Sequence, residues 1–451
     1  MKTEKHYLSK STYIRGLQCL KSLYLHKKRP FLRDRLSPLQ MAKYKRGHQI
    51  GLLARQKWPG GIDLSPASPS QYRQAVARTM EAMQSGQADV LYEACFQFNQ
   101  VLVMMDILVK EESAWVAYEV KSSLQVSETY LEDAALQYFI ITAAGVSLSD
   151  IRIIHLNPDY CREDKVDMEK LFRWESVLEF AKGRRHFIEQ RISQMLSIQS
   201  LTTSPDIPTG HHCFKPYDCD FIGHCWKSQK HPAEESLEYW ANAWRNAVTA
   251  DKGWVNSGQS TVCLSFFTTR PAIPLLPGNK PYQALLAGIG MYDVQHKTSE
   301  RIIANIPEYP AVDILDKVLK WTRSYDFIFV EDKAEFDKQV EHLTREHPEY
   351  AVGFAAIENK TLGLKEWIRG DALPEDGIGG TSFPGAIRLL AHLQAGTASD
   401  RGKIEDASLA GEVFRLLYLS DQTERHYQHI DLEQFLTSQG KALALLLEKG
   451  R

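Results

Sequence analysis

Hydrophobic positions along the chain change period several times, and the changes mark out its elements. Near the N-terminus Ile14, Leu17, Leu20 and Tyr24 recur at helical spacing behind Ser9 and Ser11, two residues suited to capping. One helix carrying Cys19 is predicted there. A second helix is predicted over about 38–57, stopped by Trp58-Pro59-Gly60-Gly61, and a third over Gln71 to Met83. The period then shortens. Val101 to Val109 and Trp115 to Val120 are β-rich runs joined by the polar Lys110-Glu-Glu-Ser-Ala, a hairpin signal. Leu131 to Ala144 returns to helical spacing and ends at Gly145. Ile151 to Leu156 reads as a further strand, and about 167–200 as one long amphipathic helix.

The pattern beyond residue 230 is that of a second α/β unit. A Trp-rich stretch with Trp240, Trp244 and Trp254 predicts a helical linker over 231–258. Strands are predicted at Thr261 to Phe267, Ala287 to Val294 and Tyr325 to Val330. Helices are predicted at about 309–322, 334–345 and 405–419, and the Gly- and acid-rich Asp371 to Thr381 is expected to be a loop. The expected organisation is a first domain over 1–230, the linker, and a second domain over 259–451.

Composition narrows the class. With 451 residues, 43% hydrophobic and 24% charged, the chain has room for two or three domains and is not of disordered type. It contains no run of eighteen apolar residues and no apolar leader after Met1, so a cytoplasmic protein without a membrane span is expected. The net charge of −2 hides an asymmetry: residues 1–60 carry 15 Lys and Arg against 2 Asp and Glu, and the rest of the chain is acidic. A basic block of this kind suits a polyanion, whose phosphates recruit Lys and Arg by counterion release.

Seven cysteines in such a chain are expected to be ligands or small core residues rather than disulfides. Cys95, Cys161 and Cys263 lie in apolar or strand-like runs and are expected in the core. Cys213, Cys219 and Cys225 are separated by two equal gaps of five residues, with Cys19 far upstream. That is not a zinc-finger spacing; four soft thiolates suit a [4Fe–4S] cluster or a zinc ion. A metal held this way would staple the first helix to the end of the domain and contribute to folding.

Between those cysteines lies a second constellation. Glu119 and Lys121 alternate onto one face of a strand, and Asp106 lies across the predicted hairpin from Glu119. Two convergent carboxylates give a hard divalent cation, Mg or Mn, oxygen ligands while leaving positions for water and phosphate. Lys121 beside them can orient water and offset phosphorane charge. Gln137 falls on the following helix, where its amide is expected to fix the lysine or a DNA backbone. Glu93, at the start of a strand into the site, is either a further acidic ligand or structural.

On Cys19, Asp106, Glu119-x-Lys121, Gln137 and the Cys213/Cys219/Cys225 triplet, the chain resembles the iron–sulfur PD-(D/E)XK nucleases, the RecB-type family that includes the CRISPR-associated exonuclease and the AddB recombination subunit. Strand, hairpin, helix, strand is also the core order of their restriction-endonuclease-like α/β domain. Arg46-Gly-His-Gln-Ile-Gly-Leu-Leu-Ala-Arg55, Trp58-Pro-Gly-Gly61, Leu136-Gln-Tyr138 and Ala144-Gly145 look like an uncharacterised bacterial family in which that nuclease precedes a DEDD-type, RNase H-like exonuclease domain.

The resemblance implies a metal-dependent DNA nuclease, an exonuclease or end-processing enzyme of repair, recombination or mobile-element defence, acting on single strands or duplex ends. Asp106 and Glu119 would be metal ligands, Lys121 the catalytic lysine and Gln137 its helper, with Cys19, Cys213, Cys219 and Cys225 holding a [4Fe–4S] cluster. Two departures stand out. The relatives often carry a histidine four residues after a glycine in the helix before the core; counted from Gly47 that position is Gly51, and His48 is out of register. The second domain of the relatives opens on Asp-Phe-Glu, whereas this chain has Ser265-Phe266-Phe267, and Thr437-Ser-Gln-Gly-Lys441 offers no carboxylate in the C-terminal helix. A degenerate second domain that binds nucleic acid or a protein partner is therefore expected. The competing expectation is a non-catalytic DNA-end-binding or scaffold subunit of a larger nuclease or defence complex; a buried carboxylate pair beside a lysine argues for the enzyme.

Overall fold

Eleven consecutive residues, Val101–Glu111, form the strand on which the first unit is organised, and its length exceeds what any one neighbour covers. In the computed structural model, which describes residues 6–112, 114–227, 232–249, 259–305, 308–369, 387, 389–390, 404, 407–417 and 422–450, the chain divides into two compact units, 1–229 and 230–451. Among the described residues no helix is long and apolar enough to cross a membrane.

The first unit runs β1 (Leu8–Ser9), α1 (Lys10–Gln18), α2 (Leu20–Lys28), α3 (Pro38–Ala54), β2 (Ile62–Asp63), α4 (Tyr72–Ser85), β3 (Val90–Phe98), β4 (Val101–Glu111), β5 (Ala114–Val120), α5 (Glu128–Ala143), β6 (Leu148–Leu156), α6 (Met168–Leu171), β7 (Phe172–Ser176), α7 (Leu178–Gly183), α8 (Arg185–Ser197) and α9 (Ile222–Cys225). Its sheet has the order β2-β3-β4-β5-β6-β7. Strands β3, β4 and β5 are antiparallel, and β5 and β6 are parallel across α5. On its β5 side, β4 changes partner. Val101 and Leu102 pair in parallel with Leu8 and Ser9 of β1, whereas Ile107 to Glu111 pair with β5. Residues 103–106 lie in the gap between the two.

Local chemistry sets these elements. Ser9 caps α1 in a reciprocal box with Thr12, and Ser37 caps α3 with Gln40, with Pro38 at its first position. Helix α5 starts at the Ser127 cap and is buried over most of its length from Glu132 to Ile141, including the polar Glu132, Asp133 and Gln137. Leu136, Phe139 and Ile140 pack with Val103, Met105, Ala117 and Ile153 in the core.

The second unit begins with α10 (Pro232–Thr249) and continues with β8 (Thr261–Thr269), β9 (Leu285–Asp293), β10 (Ser299–Ile303), α11 (Ala311–Thr322), β11 (Phe327–Val330), α12 (Lys333–Glu346), α13 (Ala351–Glu358), β12 (Thr361–Gly363) and α14 (Leu364–Arg369), then helices Ala407–Leu417 and Gln422–Gly450. The sheet order is β10-β9-β8-β11-β12; the first two pairings are antiparallel, the last two parallel. Alternation along β8 sends Val262, Leu264 and Phe266 into a core with Ile314, Val318 and Phe336. Phe267 points to the other face, against Phe414 and Phe435.

Four expectations are corrected. The single helix predicted through Cys19 is two, because Cys19 itself is extended (φ −162°, ψ 118°) and ends one helix while starting the next. The long helix expected over 167–200 is interrupted by β7, which pairs antiparallel with β6. Cys161 is exposed rather than in the core, whereas Cys95 and Cys263 are buried. The helix expected as a linker belongs to the second unit, where Trp240 and Trp244 pack with Val294, Leu364 and Leu443. Trp254 and the expected loop Asp371 to Thr381 lie outside the described residues.

Candidate active site

The pairing of β3 and β4 matches Tyr92 with Ile107 and Ala94 with Met105, so Glu93 stands opposite Asp106. The pairing of β4 and β5 ends at Ile107 with Tyr118, which sets Asp106 next to Glu119 one position further on. Three acidic residues on three neighbouring strands therefore form a row across the sheet at the point where β4 loses its partner. With the ladder finished, the Val120 N–H donates to Asp106 Oδ2 at 2.7 Å instead of to a strand carbonyl. Glu93 has a left-handed backbone, φ 52°, which is uncommon for a residue with a side chain and is found where a site demands it.

Glu119 is the hub. Only 1% of it is exposed, and three groups donate to its carboxylate: Lys10 Nζ at 2.6 Å and Lys121 Nζ at 2.8 Å to Oε1, and Gln137 Nε2 at 2.7 Å to Oε2. Lys121 also bonds Asp133 Oδ2 at 2.5 Å and lies over the Tyr130 ring at 4.9 Å. Lys10 reaches the same Asp133 oxygen at 3.7 Å. Glu93 is held by Arg55 at 2.8 Å. Asp106, Glu119, Lys121 and Gln137 thus meet in one place.

Electrostatics separates the carboxylates. Burial, then the charge of Glu119, holds the Asp106 carboxyl well above the ordinary range, against the pull of Lys10 and the Val120 N–H. Burial also raises Glu93, with Arg55 opposing. Burial acts on Glu119 too, but Lys10 and Lys121 outweigh it and hold that carboxyl well below its usual value. The same pairings outweigh burial at both lysines and keep them charged.

Gln137 is fully buried and bonds Glu119, not the lysine, and it has no access to a DNA backbone; that expectation is corrected. Lys10, Asp133 and Arg55 belong to the site and were not singled out from the sequence. Asp133 carried a signal, since it precedes Gln137 by one helical turn and so shares its face. Lys10 carried none, because its partner lies 109 residues away.

The four cysteines converge independently of this row. Cys19, Cys213, Cys219 and Cys225 line a single cavity together with Ser22 and Phe221. The segment that carries three of them, a short turn of helix at His211–Cys213, a loop and α9, is fastened to the N-terminal helices by Arg15 to Asp220 at 2.6 Å and by Gln18 Nε2 to the carbonyls of His212 (2.8 Å) and Tyr217 (2.6 Å). Burial pushes the Cys219 and Cys225 thiols up, opposed by Ser22 and the Phe221 N–H at Cys219 and by Lys21 at Cys225. Among the described residues no three His, Cys, Asp or Glu side chains close on a point where one ion would sit.

No protein-family model matches the sequence, and no curated protein matches it.

Proposed function

We propose that residues 1–229 form a metal-dependent DNA nuclease of the PD-(D/E)XK type, stabilised by a [4Fe–4S] cluster, and that the second unit is an RNase H-like exonuclease fold without its catalytic carboxylates. The observation that carries the reading is the meeting of Asp106, Glu119, Lys121 and Gln137 at the place where β5 diverges from β4. Structural packing alone gives little reason to gather acidic residues whose burial raises Asp106 and Glu93.

The residues fit the groups this reading needs. A magnesium-type ion takes one or two carboxylates and fills its remaining positions with water and phosphate, so Asp106 and Glu119 suffice to hold it. Such an ion supplies Lewis-acid stabilisation of charge on the phosphate. Lys121, fixed between Glu119 and Asp133, presents a preorganised cation to a phosphate oxygen. Gln137 fixes the Glu119 carboxylate from its buried side. The basic N-terminal block gives the phosphate backbone a surface to approach.

At the cysteines, each thiolate of a [4Fe–4S] cluster binds a separate iron, so four thiols must surround a common cavity rather than converge on one ion. Cys19, Cys213, Cys219 and Cys225 line one cavity, which supports a shared four-thiolate group there.

The strand order and directions of the second unit support the RNase H-like reading. Ser265 and Phe267 occupy the positions where the resemblance expects carboxylates. The Ser265 hydroxyl donates to the Leu436 carbonyl at 2.7 Å, and Phe267 is fully buried, so both side chains serve packing. Gln439, from the C-terminal helix, donates to Glu331 at 3.0 Å. A role in holding nucleic acid or a protein partner is what this unit retains.

The direct test is incubation of anaerobically purified full-length protein with end-labelled single- and double-stranded DNA, with and without Mg²⁺ or Mn²⁺. Metal-dependent cleavage lost in Asp106→Ala is expected. Binding of DNA ends without cleavage under every metal condition would favour the non-catalytic subunit instead.

A further inference from the structure

The Glu119 carboxylate already accepts three hydrogen bonds from the protein's own donors. Its Oε2 is taken by Gln137 and its Oε1 by two lysines. Oε1 carries both lysines, so for that oxygen to face an external cation one of them must leave, whereas Oε2 faces the buried Gln137; the geometry ranks the three donors. Gln137 is completely buried. Lys121 is 15% exposed, held by two carboxylates at 2.8 Å and 2.5 Å and covered by Tyr130. The Lys10 side chain is 28% exposed, and its second carboxylate contact is 3.7 Å long. Its contact with Glu119 is the shorter at 2.6 Å, but with one close carboxylate partner against two for Lys121 and with more exposure, Lys10 is the donor most able to leave.

Charge points the same way. Glu93, Asp106, Glu119 and Asp133 face Arg55, Lys10 and Lys121, and among the described residues Asp106 has no ion pair. Removing Lys10 without a replacement would leave the carboxylate row underneutralised. A divalent ion supplies one charge more than the ammonium it displaces.

We propose that Lys10 is a tethered internal cation that occupies Glu119 in the metal-free protein and competes with the divalent ion for it. Lys10 thereby sets the metal concentration at which the site fills. This rests on the reading of Asp106 and Glu119 as metal ligands. The competitor is always at hand, because Lys10 is the first residue of α1 and follows Ser9, which is anchored on β4 beside the site. Lys10 is a positioning residue for Glu119 here, and an ammonium released from it stays within the site.

The test is Mn²⁺ binding by calorimetry to the full chain without DNA, compared among wild type, Lys10→Met, Lys10→Gln and Lys10→Arg. Lys10→Met and Lys10→Gln should bind Mn²⁺ about tenfold more tightly, the ratio that corresponds to about 1.4 kcal/mol of lost competition. Lys10→Arg, which keeps the charge, should stay near wild type. Adding Asp106→Asn to Lys10→Met should remove the gain. Equal or weaker binding by a neutral variant with wild-type near-UV circular dichroism overturns the proposal, as does a gain that survives Asp106→Asn. Failure to see Mn²⁺ binding in any of the proteins also overturns it. The nuclease reading fails separately: tighter Mn²⁺ binding without DNA cleavage would sink catalysis alone, and cleavage with unchanged Mn²⁺ affinity would sink the role of Lys10 alone.

Discussion

Val120 gives its backbone N–H to the Asp106 carboxylate at 2.7 Å, a bond made just past the end of the ladder that joins their strands. A side chain has replaced a strand carbonyl as the acceptor. That replacement fixes one Asp106 oxygen and leaves the carboxylate between Glu93 and Glu119, where everything proposed for this site begins.

Lys121→Ala and Asp106→Ala should each lower DNA cleavage by at least 10²-fold, the scale of losing one preorganised charge-stabilising group. Iron content and DNA binding should be close to wild type in both, since neither residue touches the cysteine cavity. Single-turnover cleavage with parallel binding isotherms checks this. A wild-type rate in Lys121→Ala would remove the lysine from the mechanism.

Asp106 should make the metal-free protein pH-sensitive in an unusual direction. Its folded value is raised, so between the ordinary carboxylate value and that raised one the folded state keeps a proton that the unfolded chain has released. Its contribution to stability is therefore fully present in acid and falls as pH rises through this window. Asp106→Asn, which cannot ionise, should match wild type near pH 4 and exceed it increasingly toward neutral pH. Thermal melts in chelator across that range measure the divergence; parallel curves would contradict it. Glu119 runs the other way: its lowered carboxyl stabilises at neutral pH and loses that contribution as pH falls through its folded value.

Serine at Cys19, Cys213, Cys219 or Cys225 should abolish visible absorption of the cluster and destabilise the first unit. Cys95→Ser, Cys161→Ser and Cys263→Ser should keep the iron. Iron and zinc analysis of anaerobic protein decides the matter, and stoichiometric zinc without iron would overturn the cluster.

The second unit should fold as a 230–451 fragment and cut neither DNA nor RNA with magnesium or manganese. A 259–451 fragment should be much less stable, because Trp240 and Trp244 fill a core with Leu364 and Leu443. Trp240→Ala in the longer fragment should cost about 3–5 kcal/mol, the usual range for emptying a buried aromatic site. Denaturant melts of the three proteins test the ordering, and chelator-sensitive cleavage by the 230–451 fragment would show an active centre there.

Much of the first unit was legible because β4 and β5 are short β-rich runs on either side of a polar turn, and α5 is a longer apolar-rich stretch running on to Gly145. Glu119 and Lys121 were readable because residues two apart in extended chain share a face, and Lys121, one residue past the end of β5, still bonds the Ile154 carbonyl of β6. What stayed hidden has particular causes. Helical spacing on both sides of Cys19 is insensitive to a single extended residue between two helices, so the break there left no trace. Strand β7 carries one buried residue followed by four exposed ones, with no alternation to reveal it. The left-handed Glu93 and the long-range ion pair of Lys10 are tertiary facts, set by β4 and β1 rather than by neighbours in sequence.

The interval in β4 between its two partners acts as a ruler. Leu102 is matched with Ser9 and Ile107 with Tyr118, leaving four residues to measure the distance from the strand that delivers Lys10 to the strand that delivers Glu119 and Lys121. One residue more or less would turn Asp106 to the opposite face of the sheet. Two would restore its face but shift the two suppliers relative to each other by roughly 6–7 Å. The length of this four-residue interval is therefore part of the site.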